Sequence, residues 1–124
     1  MIEIRYWKKE TEFELYVDGH AGYAEFGHDI VCAAVSALLQ ALCARLSDVM
    51  DRPRFTLAAG NAHVEGRGRE AMDAFETILC GFHAAEKSFP HYICLQEVFS
   101  AGDGHITLRR REDAGNGMVG YESP

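Results

Sequence analysis

Positive charge is scarce in this chain. Twelve Lys and Arg stand against nineteen Asp and Glu in 124 residues, giving a formal charge of -7 and a pI near 5.3. A molecule with that balance is repelled by nucleic acids and anionic membranes, so neither is an expected partner and basic partners are favoured. Cysteine is sparse too: the four residues, at 32, 43, 80 and 94, form no C-x-x-C pair and no zinc spacing. They read as reduced thiols, which points to the cytoplasm. The first ten residues lack the continuous apolar stretch of a secretory signal, and no apolar run approaches the roughly 18 residues of a membrane span. Internal repeats and dividing linkers are absent, and the length suits one two-layer core. Gly66-Arg67-Gly68 lacks the further glycines and the lysine of a phosphate-binding loop. Cys80 and His83, at i, i+3 with no second ligand pair nearby, are predicted to be a core thiol and a partly exposed histidine. No metal and no cofactor is expected.

Alternation is what the N-terminal part does have. Ile2, Ile4 and Tyr6, then Phe13, Leu15 and Val17, recur with period two on either side of a polar turn, which predicts a β-hairpin ending at Asp18-Gly19. From residue 30 to about 49 the period changes to that of a helix, with an apolar stripe of Val31, Val35, Leu38, Leu42, Leu46 and Val49. So apolar a helix must be covered on more than one side. Phe55 with Leu57, and Ala62 with Val64, predict two short strands around the turn Ala59-Gly60-Asn61. A second helix is predicted from Arg69 to about Ser88, then a strand near residues 92–99 and one more through Ile106 and Leu108. The fold class that follows is α/β, a mixed β-sheet packed with two α-helices in a single two-layer domain.

The chemistry concentrates where the hairpin hands over to the first helix. Gly19-His20-Ala21-Gly22-Tyr23-Ala24-Glu25-Phe26-Gly27-His28 reads as a glycine-punctuated loop, and Asp29 as the N-cap that places Cys32 in the first turn. Unpaired N–H groups and the positive end of the helix dipole favour a thiolate there. With His20 in the adjoining loop, the pair is the minimum equipment of a cysteine nucleophile. Cys32, Ser36 and Gln40 share one i, i+4, i+8 row, whereas Cys43 lies deeper and reads as core.

Gly19-His20-Ala21, Gly27 and the run from Asp29-Ile30-Val31-Cys32 to Ala37-Leu38 resemble the signature of the bacterial ribosomal-processing cysteine proteases. In element order the likeness covers roughly the first three-quarters of the chain. It implies a cysteine endopeptidase that removes a short N-terminal extension from a large-subunit ribosomal protein, cutting after an aromatic residue just ahead of a basic segment. It also implies a homodimer, with residues 1–111 as the protease domain. Members of the family typically stop soon after the strand following the second helix. The glycine-rich residues 112–124 go beyond that and are predicted to be a flexible tail.

In that frame Cys32 is the nucleophile and His20 the general base and later acid, while N–H groups at the helix start are the expected oxyanion donors. His28 is a second candidate base, predicted to point away from the first turn. Asp29 is assigned a structural role, and Ser36 stands within reach of the sulfur, the histidine or the substrate. Gly19, Gly22, Tyr23, Phe26 and Gly27 form a candidate substrate loop; Tyr23 and Phe26 either cover a bound peptide or anchor the loop to the core. Two competing functions remain on the sequence alone. One is a non-catalytic, ribosome-associated protein that holds a basic tail; the other is an RNA-binding ribosome factor, weakened by the acidic charge.

Overall fold

Among the described residues six strands and two helices follow one another as β1 (Ile2–Lys9), β2 (Glu12–Asp18), α1 (Ile30–Val49), β3 (Arg54–Ala58), β4 (Asn61–Arg67), α2 (Arg69–Ser88), β5 (Ile93–Ser100) and β6 (Ile106–Leu108). The computed structural model describes residues 1–25, 27–100 and 106–108. Phe26, the basic run 109–111 and the predicted tail 112–124 lie outside the described residues.

The sheet runs β3-β4-β2-β1-β5-β6, an order that the sequence left open. Neighbours pair antiparallel except β1 and β5, which are parallel in the register Ile2↔Ile93 and Ile4↔Leu95. The period-two pattern becomes two distinct faces. Ile4, Tyr6, Phe13, Leu15, Val17, Val64 and Leu95 are buried on one. Arg5, Glu14, Tyr16 and His63 stand half-buried on the other, which neither helix of the described residues covers. Phe75 of α2 sits at the centre of the apolar layer, stacked on Phe13 at 4.1 Å between ring centroids and edge-on to Tyr6 at 5.6 Å. Such pairs stabilise by roughly 0.5–1.5 kcal/mol beyond the area they bury.

By length and composition α1 is apolar enough to cross a membrane, with a mean hydropathy of 1.8, contrary to the expectation that no run came near that size. Its Val31, Val35, Leu39, Leu42, Cys43 and Leu46 belong to the one core that the sheet and α2 also line. Only 33% of the stretch is buried, however. The outward stripe of Ile30, Ala33, Ala37, Ala41 and Ala44 is exposed.

Two cysteines behave differently. Cys43 is buried, as its place in the stripe predicted, and burial pushes its thiol up to about 11. Cys80 is exposed, which corrects the reading of it as a core thiol. At 100° per residue it lies about 200° from both Ile78 and Phe82, the core-facing residues on either side.

Candidate active site

The first turn of α1 is built around one carboxylate. Asp29 Oδ1 accepts the N–H groups of Val31 and Cys32, both at 3.0 Å, as a side-chain N-cap. Its Oδ2 accepts those of Tyr23 at 3.0 Å and Ala24 at 3.3 Å. The same side chain therefore fixes the helix start and the loop lying over it. The Cys32 N–H above all, with those of Ala24, Tyr23 and Val31, holds the Asp29 carboxyl below its usual range, against a smaller opposing effect of desolvation. Asp29 is therefore the N-cap of α1 that the sequence predicts.

Cys32 sits in that turn half-buried, and its Sγ accepts the Ala21 N–H at 3.4 Å. Ala21 is itself buried, so the loop is pinned at both ends of a short arc, by sulfur at Ala21 and by carboxylate at Tyr23 and Ala24.

His20 and Cys32 line one cavity of about 570 Å³, together with Asp29, Ser36, Gly60 and Asn61 over an apolar floor that includes Val17 and Ala62. That size takes a few residues of a peptide. What holds His20 there is the β3–β4 turn. Gly19 donates its N–H to the Gly60 carbonyl at 2.9 Å, and a Cβ at Gly60 would stand 2.7 Å from His20 Nε2. Gly60 also has φ +75, so only glycine both makes the turn and leaves room for the imidazole. The sequence assigned no role to this turn. Its one signal was the tight Ala59-Gly60-Asn61, and nothing local says that a histidine forty residues earlier will lean on it.

Among the described residues no hydrogen bond joins the His20 imidazole to Cys32, although both line the cavity. Catalytic hydrogen bonds commonly tighten only with substrate in place. His28 is exposed, donates its N–H to the Glu25 carbonyl at 2.9 Å and is not part of the cavity wall. Ser36 is on the wall, one turn beyond Cys32, while Gln40, the next in the row, is not. Of the candidate substrate loop, Gly19, Gly22 and Gly27 line the cavity. Tyr23 packs edge-on to Phe89 at 5.7 Å and Tyr92 at 5.1 Å, the anchoring arrangement.

The helix start differs from expectation in one respect. The N–H groups of Val31 and Cys32 are taken by Asp29 Oδ1 and that of Ala33 by the Asp29 carbonyl, so these expected oxyanion donors are occupied in this conformation. Elsewhere, Glu14, His63 and Glu65 bring ligand-type atoms within 4.8 Å of one another on the open sheet face. There Glu14 Oε2 already accepts from the Tyr16 hydroxyl at 2.6 Å and lies 3.0 Å from His63 Nε2. Hydrogen bonds within the protein account for that cluster.

Alkylation should separate the thiols. Iodoacetamide at pH 6, followed by mass spectrometry, is expected to label Cys32 first, exposed Cys80 more slowly and Cys43 last. Labelling of Cys80 ahead of Cys32 would show a sulfur that is not activated in the free protein.

A family model described as "Cysteine protease Prp" matches residues 1–94. The ribosomal processing cysteine protease Prp of Staphylococcus aureus (strain NCTC 8325 / PS 47) is 31% identical over 88 residues, 66% of this chain and 83% of that protein. The crystal structure of the S. aureus protease with a covalently linked product peptide superimposes with a TM-score of 0.70 at 27% identity, covering 78% of this chain and 99% of that one. Its complex with a substrate peptide gives 0.63 at 25% identity, with the same coverage.

Proposed function

Since the chain belongs to the Prp family of cysteine proteases, we propose that it is an endopeptidase removing the N-terminal extension of a large-subunit ribosomal protein, with Cys32 as nucleophile and His20 as general base and acid. The observation that carries the assignment is the shared cavity, in which a first-turn cysteine and a loop histidine face the same space. Family membership disfavours the non-catalytic reading, and relatives crystallised with peptides support a peptide as the occupant.

In the proposed reaction His20 takes the Cys32 proton and the sulfur attacks the carbonyl carbon of the scissile bond. The carbonyl oxygen becomes an oxyanion, which needs N–H donors at the helix start. For Val31 and Cys32 to supply them, Asp29 must loosen its hold as substrate enters. His20 then protonates the leaving amine, the C–N bond breaks and a thioester remains. Water, deprotonated by His20, attacks the thioester and frees the new carboxylate, returning the proton to the thiol. The acidic balance of the enzyme suits a basic segment beyond the cut, and a ribosomal-protein substrate places the reaction in the cytoplasm.

The test is direct. Purified protein incubated with a large-subunit ribosomal protein carrying its N-terminal extension should release one N-terminal peptide, identified by mass. An intact substrate after prolonged incubation would reject the assignment.

A homodimer belongs to the same proposal. The exposed stripe of Ile30, Ala33, Ala37, Ala41 and Ala44 is apolar and mostly alanine, and a two-fold axis would set it against the same stripe of a second copy. Light scattering at micromolar concentration should give a dimer, and Ala41→Glu, which sets a charge in the middle of the stripe, should give a monomer. A wild-type monomer would remove this part.

A further inference from the structure

We propose that β3 is a docking edge on which the substrate adds as one more extended strand, its apolar side chains seated on Phe55 and Leu57. The inference rests on the endopeptidase reading.

All five residues of β3 are exposed, and β3 is the last strand at its end of the sheet. Its register places Phe55 opposite Val64 and Leu57 opposite Ala62. Directly opposed residues share a face, and Val64 and Ala62 are buried in the core. Phe55 and Leu57 therefore lie on the side that the helices cover, yet they are 38% and 43% exposed. The helix layer stops short of this strand and leaves two large apolar side chains on an open shelf.

The shelf is continuous with the active cavity. Ala58, the last residue of β3, and the turn residues Ala59 and Gly60 are in the cavity wall, and the turn carries the His20 ring. A chain leaving the cavity along β3 has five residues to follow, roughly 16 Å of edge at about 3.3 Å per residue. Sheet edges are ordinarily blunted by Lys, Pro, bulges or a covering element, because they pair with any extended chain. Here Pro53 and Arg54 guard only the far end, and Phe55-Thr56-Leu57 carries no such protection. A protease must hold its substrate extended, and strand addition supplies main-chain hydrogen bonds while alternate side chains find pockets. Continuity with the cavity favours the substrate over a second copy of the chain, for which α1 offers the separate stripe.

Two measurements test this. Phe55→Thr/Leu57→Thr places β-branched residues, which suit an exposed strand, while removing the apolar shelf. For a long peptide it should raise KM by about tenfold or more with kcat little changed, and it should leave cleavage of a peptide too short to reach β3 as it was. In the Cys32→Ala protein, which binds without turnover, the long peptide should slow hydrogen exchange of the amides in Arg54–Ala58, and the short one should not. Unchanged KM or unprotected β3 amides would overturn the proposal. So would a double variant that turns monomeric, because the shelf would then belong to a second copy. Failure of the endopeptidase reading looks different, since wild-type protein would then cleave neither peptide.

Discussion

Cys32→Ala is expected to leave an extended ribosomal-protein peptide uncut, with a loss of about 10⁴-fold or more in kcat, because among the described residues Cys32 is the one thiol on the cavity wall. The fold should survive, since alanine is the best helix former and Cys32 is only half-buried. His20→Ala should cost about 10²–10⁴-fold, the usual range for a lost general acid and base. His28→Ala should have little effect, its side chain being exposed and off the cavity wall. A single-turnover assay with these variants ranks the three. Wild-type-like turnover in Cys32→Ala would reject the nucleophile, and a larger loss at His28 than at His20 would move the base.

The second large effect is expected at Asp29. Alanine there removes the acceptor for four backbone N–H groups at once, two in the helix start and two in the loop above it. The melting temperature should fall, and kcat/KM should fall by about 10²-fold, the scale of an ångström of misplacement at a reacting centre. Asp29→Asn separates the two roles. Asparagine is as good an N-cap as aspartate, but its amide offers one oxygen and turns N–H against the other pair of donors. Stability should be largely retained while activity stays low. The sign of the pH dependence is fixed by the lowered carboxyl. Asp29 contributes fully above its ordinary value of 3.8 and loses that contribution as pH falls through the depressed folded value. Wild type and Asp29→Ala should therefore converge in melting temperature in strong acid. A variant faster than wild type would instead show that occupying the Cys32 N–H restrains the resting enzyme.

Much of this arrangement could be read from local pattern. Alternation around Leu15 gave the hairpin, and Asp29 before an apolar period of 3.6 gave the start of α1, because both depend on neighbours in sequence. The exposure of Cys80 is also legible, in the helical phase between Ile78 and Phe82. Other features depend on contacts between distant segments. Tyr23 meets Phe89 and Tyr92 only after α2 has folded back, and His20 leans on Gly60 only once β4 has paired with β2. The occupied N–H groups of Val31 and Cys32 follow from the rotamer of a single carboxylate, which a residue name does not specify. Strand order is of the same kind, since both hairpins were visible but nothing local places β5 against β1.

That last pairing has a consequence for how the protein comes into being. The parallel ladder Ile2↔Ile93, Ile4↔Leu95 joins segments about ninety residues apart, between the fourth and fifth strands of the six-strand order, the high-contact-order closure that folds slowly. At synthesis rates of about 5–20 residues per second, β1 waits several seconds for its partner. Throughout that interval α1, apolar enough to be mistaken for a membrane span, has an unfinished sheet to pack against. The newborn chain is thus exposed to aggregation on the ribosome, and one interrupted before Ile93 is left with β1 as an open edge.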